Sequence, residues 1–159
     1  MKILVMSRDQ ARFFEHTEPY AIIGISDSYS TDIEYIDSPN LVGKLMIRFD
    51  DIMKPVKGKI LFKDNTARMI WDFIEEIYNN IDLLMVHCNA GVSRSTAIAA
   101  AISKAYNGYC TKYFYWYCPN QYVYKKMMAN LYYEDAEKLC DTCLSSIIFP
   151  QMKIINIKS

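Results

Sequence analysis

In the stretch His87-Cys88-Asn89-Ala90-Gly91-Val92-Ser93-Arg94-Ser95, an arginine follows a cysteine by six positions. A thiolate is a strong nucleophile, and a guanidinium presents a planar fork of N–H donors that matches two phosphate oxygens at once. Together they could bind a phosphate group and attack it. Ahead of them Asp82-Leu83-Leu84-Met85-Val86 is an apolar run of strand length, and behind them Ser95 to Ile102 reads as a helix. The connecting loop therefore lies at a helix N-terminus, where unpaired backbone N–H groups and the positive end of the macrodipole favour anions. Thiols in such places titrate below the free value of about 8.5, so Cys88 is expected to be ionised at neutral pH. Gly91 can take the positive φ that lets successive amides converge on one point.

This segment resembles the signature loop of the cysteine-dependent protein tyrosine phosphatase superfamily, and Gly91-Val92-Ser93-Arg94-Ser95 is its dual-specificity form. The resemblance extends over roughly residues 40 to 131, because Ile47-Arg48-Phe49-Asp50-Asp51 looks like the family's acid-bearing loop and Pro119-Asn120 like its Pro-Asn helix start. It implies hydrolysis of a phosphate monoester in two steps. Cys88 would form a thiophosphoryl intermediate that water resolves, while the amides of Asn89, Ala90, Gly91, Val92, Ser93 and Arg94 and the Arg94 guanidinium hold the equatorial oxygens. Ser95 would donate a hydrogen bond to the Cys88 sulfur, and His87 would orient the loop and not touch substrate.

The leaving oxygen needs a proton, and by analogy its donor is a carboxyl group just after the third strand. Asp50 and Asp51 both qualify. Asp51 is preferred because the related acid follows its strand, leaving Asp50 to brace the loop or face water. Asn120 would help position the signature loop, or would serve only as a helix start. The aromatic run Tyr113-Phe114-Tyr115-Trp116-Tyr117 reads mainly as core and half-exposed tyrosine, with a pocket wall for a phosphoaryl ring as the alternative.

The substrate class follows from what the loop carries. Asn89, Ala90, Val92 and Ser93 are uncharged, so the loop lacks the lysines with which inositide phosphatases of this superfamily meet several phosphates. The chain also shows no counterpart of the long phosphotyrosine-recognition insert of the larger tyrosine-specific enzymes. A shallow site admitting phosphotyrosine, phosphoserine and phosphothreonine in proteins is expected, with no metal and no organic cofactor. A non-catalytic phospho-reader and a phosphatase acting on RNA 5′ ends or phosphoinositides are the alternatives.

These groups have to be positioned by 159 residues, a length for one domain spanning 1–159 with a real core. Eighteen basic residues balance eighteen acidic ones, so no global field recruits nucleic acid or an anionic membrane. No run reaches about 18 apolar residues, and the start is too brief for a signal peptide, which makes a cytoplasmic protein the expectation. Five cysteines, at 88, 110, 118, 140 and 143, lack the spacing of a disulfide framework. Cys140 and Cys143 read as partly buried thiols on a helix and not as a redox or metal pair.

Strands are expected at Ile3 to Met6, Tyr20 to Ile25, Lys44 to Phe49 and Leu83 to His87. Helices are expected at Asn65 to Ile81, Ser95 to Tyr106, Pro119 to about Leu131, and Tyr133 to Ser145. Strands alternating with helices imply an α/β fold, a single domain whose mostly parallel central sheet is flanked by helices. Ligands of such sheets bind at the carboxyl ends of the strands, where Cys88 falls.

Overall fold

The computed structural model describes residues 1–131; the helix expected over Tyr133 to Ser145, with Cys140 and Cys143, lies outside them. Four strands, β1 (Lys2–Ser7), β2 (Tyr20–Ser26), β3 (Leu41–Arg48) and β4 (Leu83–Cys88), form one sheet in the order β1-β4-β2-β3. All three pairings are parallel. The two central strands are buried along their whole length, as strands covered on both faces must be, which is why Leu83-Leu84-Met85-Val86 and Tyr20-Ala21-Ile22-Ile23 read as unbroken apolar runs.

Alternation along these strands sorts the core into two faces. Ala21, Ile23, Ile25, Leu84, Val86 and Cys88 belong to the larger cluster, packed against helices α2 (Asp64–Ile77), α3 (Arg94–Asn107) and α5 (Gln121–Ala129). Tyr20, Ile22, Leu83 and Met85 belong to the smaller one. That second face is covered by the four-residue helix α1 (Arg8–Ala11) and by Phe14, Ile33 and Tyr35 from irregular chain.

Helix α2 buries Ala67, Ile70, Trp71, Ile74 and Ile77, the stripe its spacing dictates. It stops at Ile77, four residues before the expected end, and Tyr78–Asn80 tightens into a 3-10 turn. Helix α3 is buried from Arg94 through Ser103, and its run of alanines lets the backbone lie close to the sheet. Truncating Ile98 to Ala there would cost about 2–5 kcal/mol. Gly108 ends α3 in the left-handed conformation at φ 77°.

Two expectations need correction. Pro119 is not in the first turn of α5: Asn120 is the N-cap, its side-chain oxygen accepting from the amides of Tyr122 and Val123 at 3.1 Å, and Pro119 precedes it. Short helices α1 and α4 (Thr111–Trp116) were not expected, because neither is long enough to show a helical period. No helix among the described residues is long and apolar enough to cross a membrane.

Candidate active site

Parallel β4 ends at Cys88 and α3 begins at Arg94, so the five residues between them form the loop at the carboxyl end of a central strand. Gly91 sits there at φ +70°, and a Cβ on it would come within 2.5 Å of the Met6 carbonyl oxygen at the end of β1. Conformation and space both require glycine. Ser93, in the N-cap position of α3, makes no capping hydrogen bond; its hydroxyl donates to Asp51 at 2.8 Å instead. The first amides of α3 are thereby left uncapped by a side chain.

Cys88 is buried, with its Sγ 3.1 Å from the Ser95 hydroxyl. Burial alone would push the thiol up. The Ser95 hydroxyl, the amides of Ser95 and Gly91, and the positive charge of Arg94 outweigh it and hold the group below the ordinary thiol range. Arg94 is 4% exposed. Its Nη1 donates to the Phe49 carbonyl at 2.8 Å and pairs with Asp27 Oδ1 at 2.5 Å, whereas its buried Nε has no partner among the described residues. Nε and Nη2 share one edge of a guanidinium, the edge that receives two oxygens of one oxyanion.

The two candidate acids lie in different surroundings. Asp50 is 3% exposed and accepts from the Ile60 amide at 2.7 Å, the Ser28 hydroxyl at 3.0 Å and Lys59 Nζ at 3.3 Å. Burial pushes its carboxyl up, but these hydrogen bonds prevail and hold it at about 2. A carboxylate so fixed is a brace and a poor proton donor. Asp51 is exposed and reaches the loop: Oδ1 accepts from Ser93 and, at 2.7 Å, from Asn120 Nδ2. Asn120 thus performs two tasks, capping α5 with its oxygen and holding Asp51 with its nitrogen.

Alternation along β4 sends His87 away from Cys88, to the other face of the sheet. There its Nε2 lies 2.6 Å from the Tyr35 hydroxyl, and its Nδ1 is buried without a partner among the described residues. Burial, helped by the nearby charge of Arg8, pulls the imidazole down to about 4, so it is neutral at physiological pH. Tyr35 can stand there because residue 24 is glycine: a Cβ would meet its hydroxyl at 2.5 Å.

Asp51, Ser93 and Asn120 also line a cavity of about 480 Å³ whose other walls include Met53, Phe114 and Tyr117. The aromatic run is therefore split among three environments. Tyr113 is core, Phe114 and Tyr117 face the cavity, and Tyr115 and Trp116 are about three-quarters exposed. Among the described residues no group of three or more His, Cys, Asp or Glu could hold a metal ion.

Cys88, Arg94 and Ser95 are thus brought together, Asp51 and Asn120 are joined to the loop through Ser93 and each other, and His87 and Asp50 stand behind it. Sequence reasoning missed Asp27 and Tyr35. A signal existed for Asp27, which directly follows a strand of a parallel sheet at the end where ligands bind. Tyr35 lies in irregular chain and offered none.

No family model matches the chain, and no curated protein matches it in sequence. Solved structures do resemble it. Human tyrosine phosphatase-like serine/threonine/tyrosine-interacting protein matches with a TM-score of 0.51 and 19% identity, over 70% of this chain and 75% of that one. PTPMT1, solved in complex with PI(5)P, matches with a TM-score of 0.54 and 12% identity, over 82% and 90%. Human DUSP28 matches with a TM-score of 0.53 and 13% identity, over 81% and 90%. The fold is accordingly the α/β fold of the dual-specificity-like tyrosine phosphatases. At these identities the likeness speaks to fold alone.

Proposed function

We propose that residues 1–159 form one catalytic domain, a cysteine-dependent protein phosphatase that hydrolyses phosphotyrosine, and phosphoserine and phosphothreonine as well. The observation that carries this reading is a buried Cys88 sulfur with its thiolate favoured, 3.1 Å from Ser95, in a loop closed by an arginine with an unpartnered Nε. In the first step the Cys88 sulfur attacks phosphorus and the ester oxygen departs with a proton from Asp51. In the second, water attacks the phosphorus of cysteinyl-phosphate, Asp51 takes the proton, and the thiolate leaves with the Ser95 hydroxyl stabilising it. The amides of the loop and Arg94 hold the equatorial oxygens throughout.

The loop and its cavity bear on substrate. Asp51, Ser93 and Asn120 together with Met53, Phe114 and Tyr117 line the cavity, and no lysine or arginine is among its walls. A ligand with several phosphates would find no cation in this cavity for its additional phosphates, which favours a protein monoester over a phosphoinositide or an RNA 5′ end. A reducing cytoplasmic setting belongs to the same reading, since an activated thiolate is readily oxidised elsewhere.

The likeness to a serine/threonine/tyrosine-interacting protein supports a second reading, a reader that binds phosphorylated proteins without cleaving them. A chromogenic aryl phosphate separates the two. Turnover is expected, and binding of phosphopeptides without any turnover would establish the reader. A panel of phosphopeptides, phosphoinositides and RNA 5′-triphosphate ends then tests the substrate class, with phosphopeptides expected to have the highest kcat/KM.

A further inference from the structure

The phosphatase reading leaves Asp27 without a task. Strands β2 and β4 are parallel neighbours, with Gly24 opposite His87, so the chain leaving β2 emerges beside the loop that leaves β4. Asp27 is the first residue past β2. Its Oδ1 lies 2.5 Å from Arg94 Nη1, and its Oδ2 accepts a hydrogen bond from Asn89 Nδ2. Asn89 is the first residue after Cys88, and Arg94 is the first of α3. One carboxylate therefore ties together the two ends of the loop.

The turn that carries Asp27 is itself braced. Arg48 Nη1 donates to the Asp27 carbonyl at 3.0 Å and to the Ser30 carbonyl, and its Nη2 pairs with Asp32 at 2.7 Å. The Ser28 hydroxyl donates to Asp50 at 3.0 Å. Arg48, the last residue of β3, and Asp50, two residues beyond it, thus fix the turn. A carboxylate held this way works as a strut. A carboxylate on a free loop could swing in and out of the guanidinium.

Where it touches the guanidinium matters as much. Asp27 and the Phe49 carbonyl both take Nη1, off the Nε–Nη2 edge, and the buried Nε keeps no partner among the described residues. Fixing one nitrogen of a rigid planar group fixes the direction of the others. We propose that Asp27 is a positioning residue: by binding Arg94 Nη1 and Asn89 together, it aims the Nε–Nη2 edge at the phosphate and keeps the loop in its anion-binding shape. The rival role, a carboxylate that competes with the phosphate for Arg94, would place it on that edge. This inference rests on the proposed phosphatase reading.

The test compares the intact chain with Asp27→Asn, Arg94→Lys and the double variant, by kcat/KM on an aryl phosphate and by the affinity for inorganic phosphate from calorimetry. Asp27→Asn is expected to lower kcat/KM about 10- to 100-fold and to weaken phosphate binding, because a reacting fork displaced by a fraction of an ångström loses that much. In the Arg94→Lys background the same change should cost either quantity much less than in the wild type, since there is no fork left to aim and only the hold on Asn89 remains. Tighter phosphate binding by Asp27→Asn would overturn the proposal in favour of a competitor. An equal loss with and without Arg94 would overturn it in favour of a merely structural residue. A flattened basic limb of the pH profile would make Asp27 the proton donor instead. An inactive wild type would defeat the phosphatase reading alone, and the phosphate affinities of the four proteins would still decide the role of Asp27.

Discussion

The two faces of the sheet divide the labour of the site. On the helix-covered face stand Cys88, at the start of the loop into α3, with Ser95; Asp51 joins that side through Ser93 and Asn120, residues at the starts of α3 and α5. On the face covered by irregular chain stand His87 with Tyr35, and at the strand ends the turn after β2 brings Asp27 to Arg94 and Ser28 to Asp50. The first set has groups suited to bond making and proton transfer; the second consists of groups held by burial and hydrogen bonds. Helix N-termini explain the difference, because they alone supply converging amides and a favourable field for an anion. Among the described residues the other face has only a four-residue helix and so contributes struts.

That division predicts that substitutions on the helical side change the chemistry and those on the other side change its efficiency. The largest effect is expected from Cys88→Ser, whose hydroxyl lacks the acidity of the thiol. Turnover of an aryl phosphate should fall by more than about 10⁴-fold while inorganic phosphate still binds in calorimetry. Residual hydrolysis above about one per cent would remove Cys88 from the chemistry altogether.

Next comes the adjacent pair of carboxylates, which the division places on opposite sides. Asp51→Asn should depress phosphopeptide hydrolysis by about 10²–10⁴-fold, leave activated aryl esters far less affected, and flatten the basic limb of the pH profile. Asp50→Asn should leave the leaving-group dependence unchanged. It should instead cost about 1–3 kcal/mol in urea unfolding, since its buried acceptors serve Ile60, Ser28 and Lys59. Reversed behaviour of the two variants would exchange their roles and break the division.

Tyr35→Phe removes the 2.6 Å partner of His87 and leaves both imidazole nitrogens unpaired. A fall in kcat of less than about tenfold, with KM nearly unchanged, is the expected result for a strut behind the loop. A loss as large as that of Asp51→Asn would mean that His87 acts in the reaction itself.

The smallest effect concerns stability. Folding holds the His87 imidazole at about 4, below its ordinary value of about 6.5, so the unfolded chain binds more protons between those values. Stability from this group is complete above about pH 6.5 and is lost as pH falls toward 4, by up to about 3 kcal/mol. Urea midpoints measured across that window should decline in the wild type and stay flatter in His87→Asn. Equal slopes would show that the ring is not buried neutral.

Much of this was legible in the sequence, and the reasons are local. The strand before Cys88 and the helix after it follow from an unbroken apolar run and an alanine-rich stretch, and the loop between them from a six-residue spacing with one glycine. The positive φ of Gly91 is a property of that glycine, and the split between Cys88 and His87 is the period of two that any strand imposes. What the residue order could not decide was which distant segments meet the loop. The environments of Asp50 and Asp51 differ because Ile60, Ser28 and Lys59 surround one while Ser93 and Asn120 meet the other, contacts made across 42 and 69 positions in the case of Asp51. Asp27 meets Arg94 only because β2 lies beside β4 in the order β1-β4-β2-β3, and strand order is set by which faces pack, not by any residue in the turn. Sequence determines the loop's own conformation through glycine and helix start; tertiary packing decides which carboxylate touches it, because that choice is made by burial and long-range pairing.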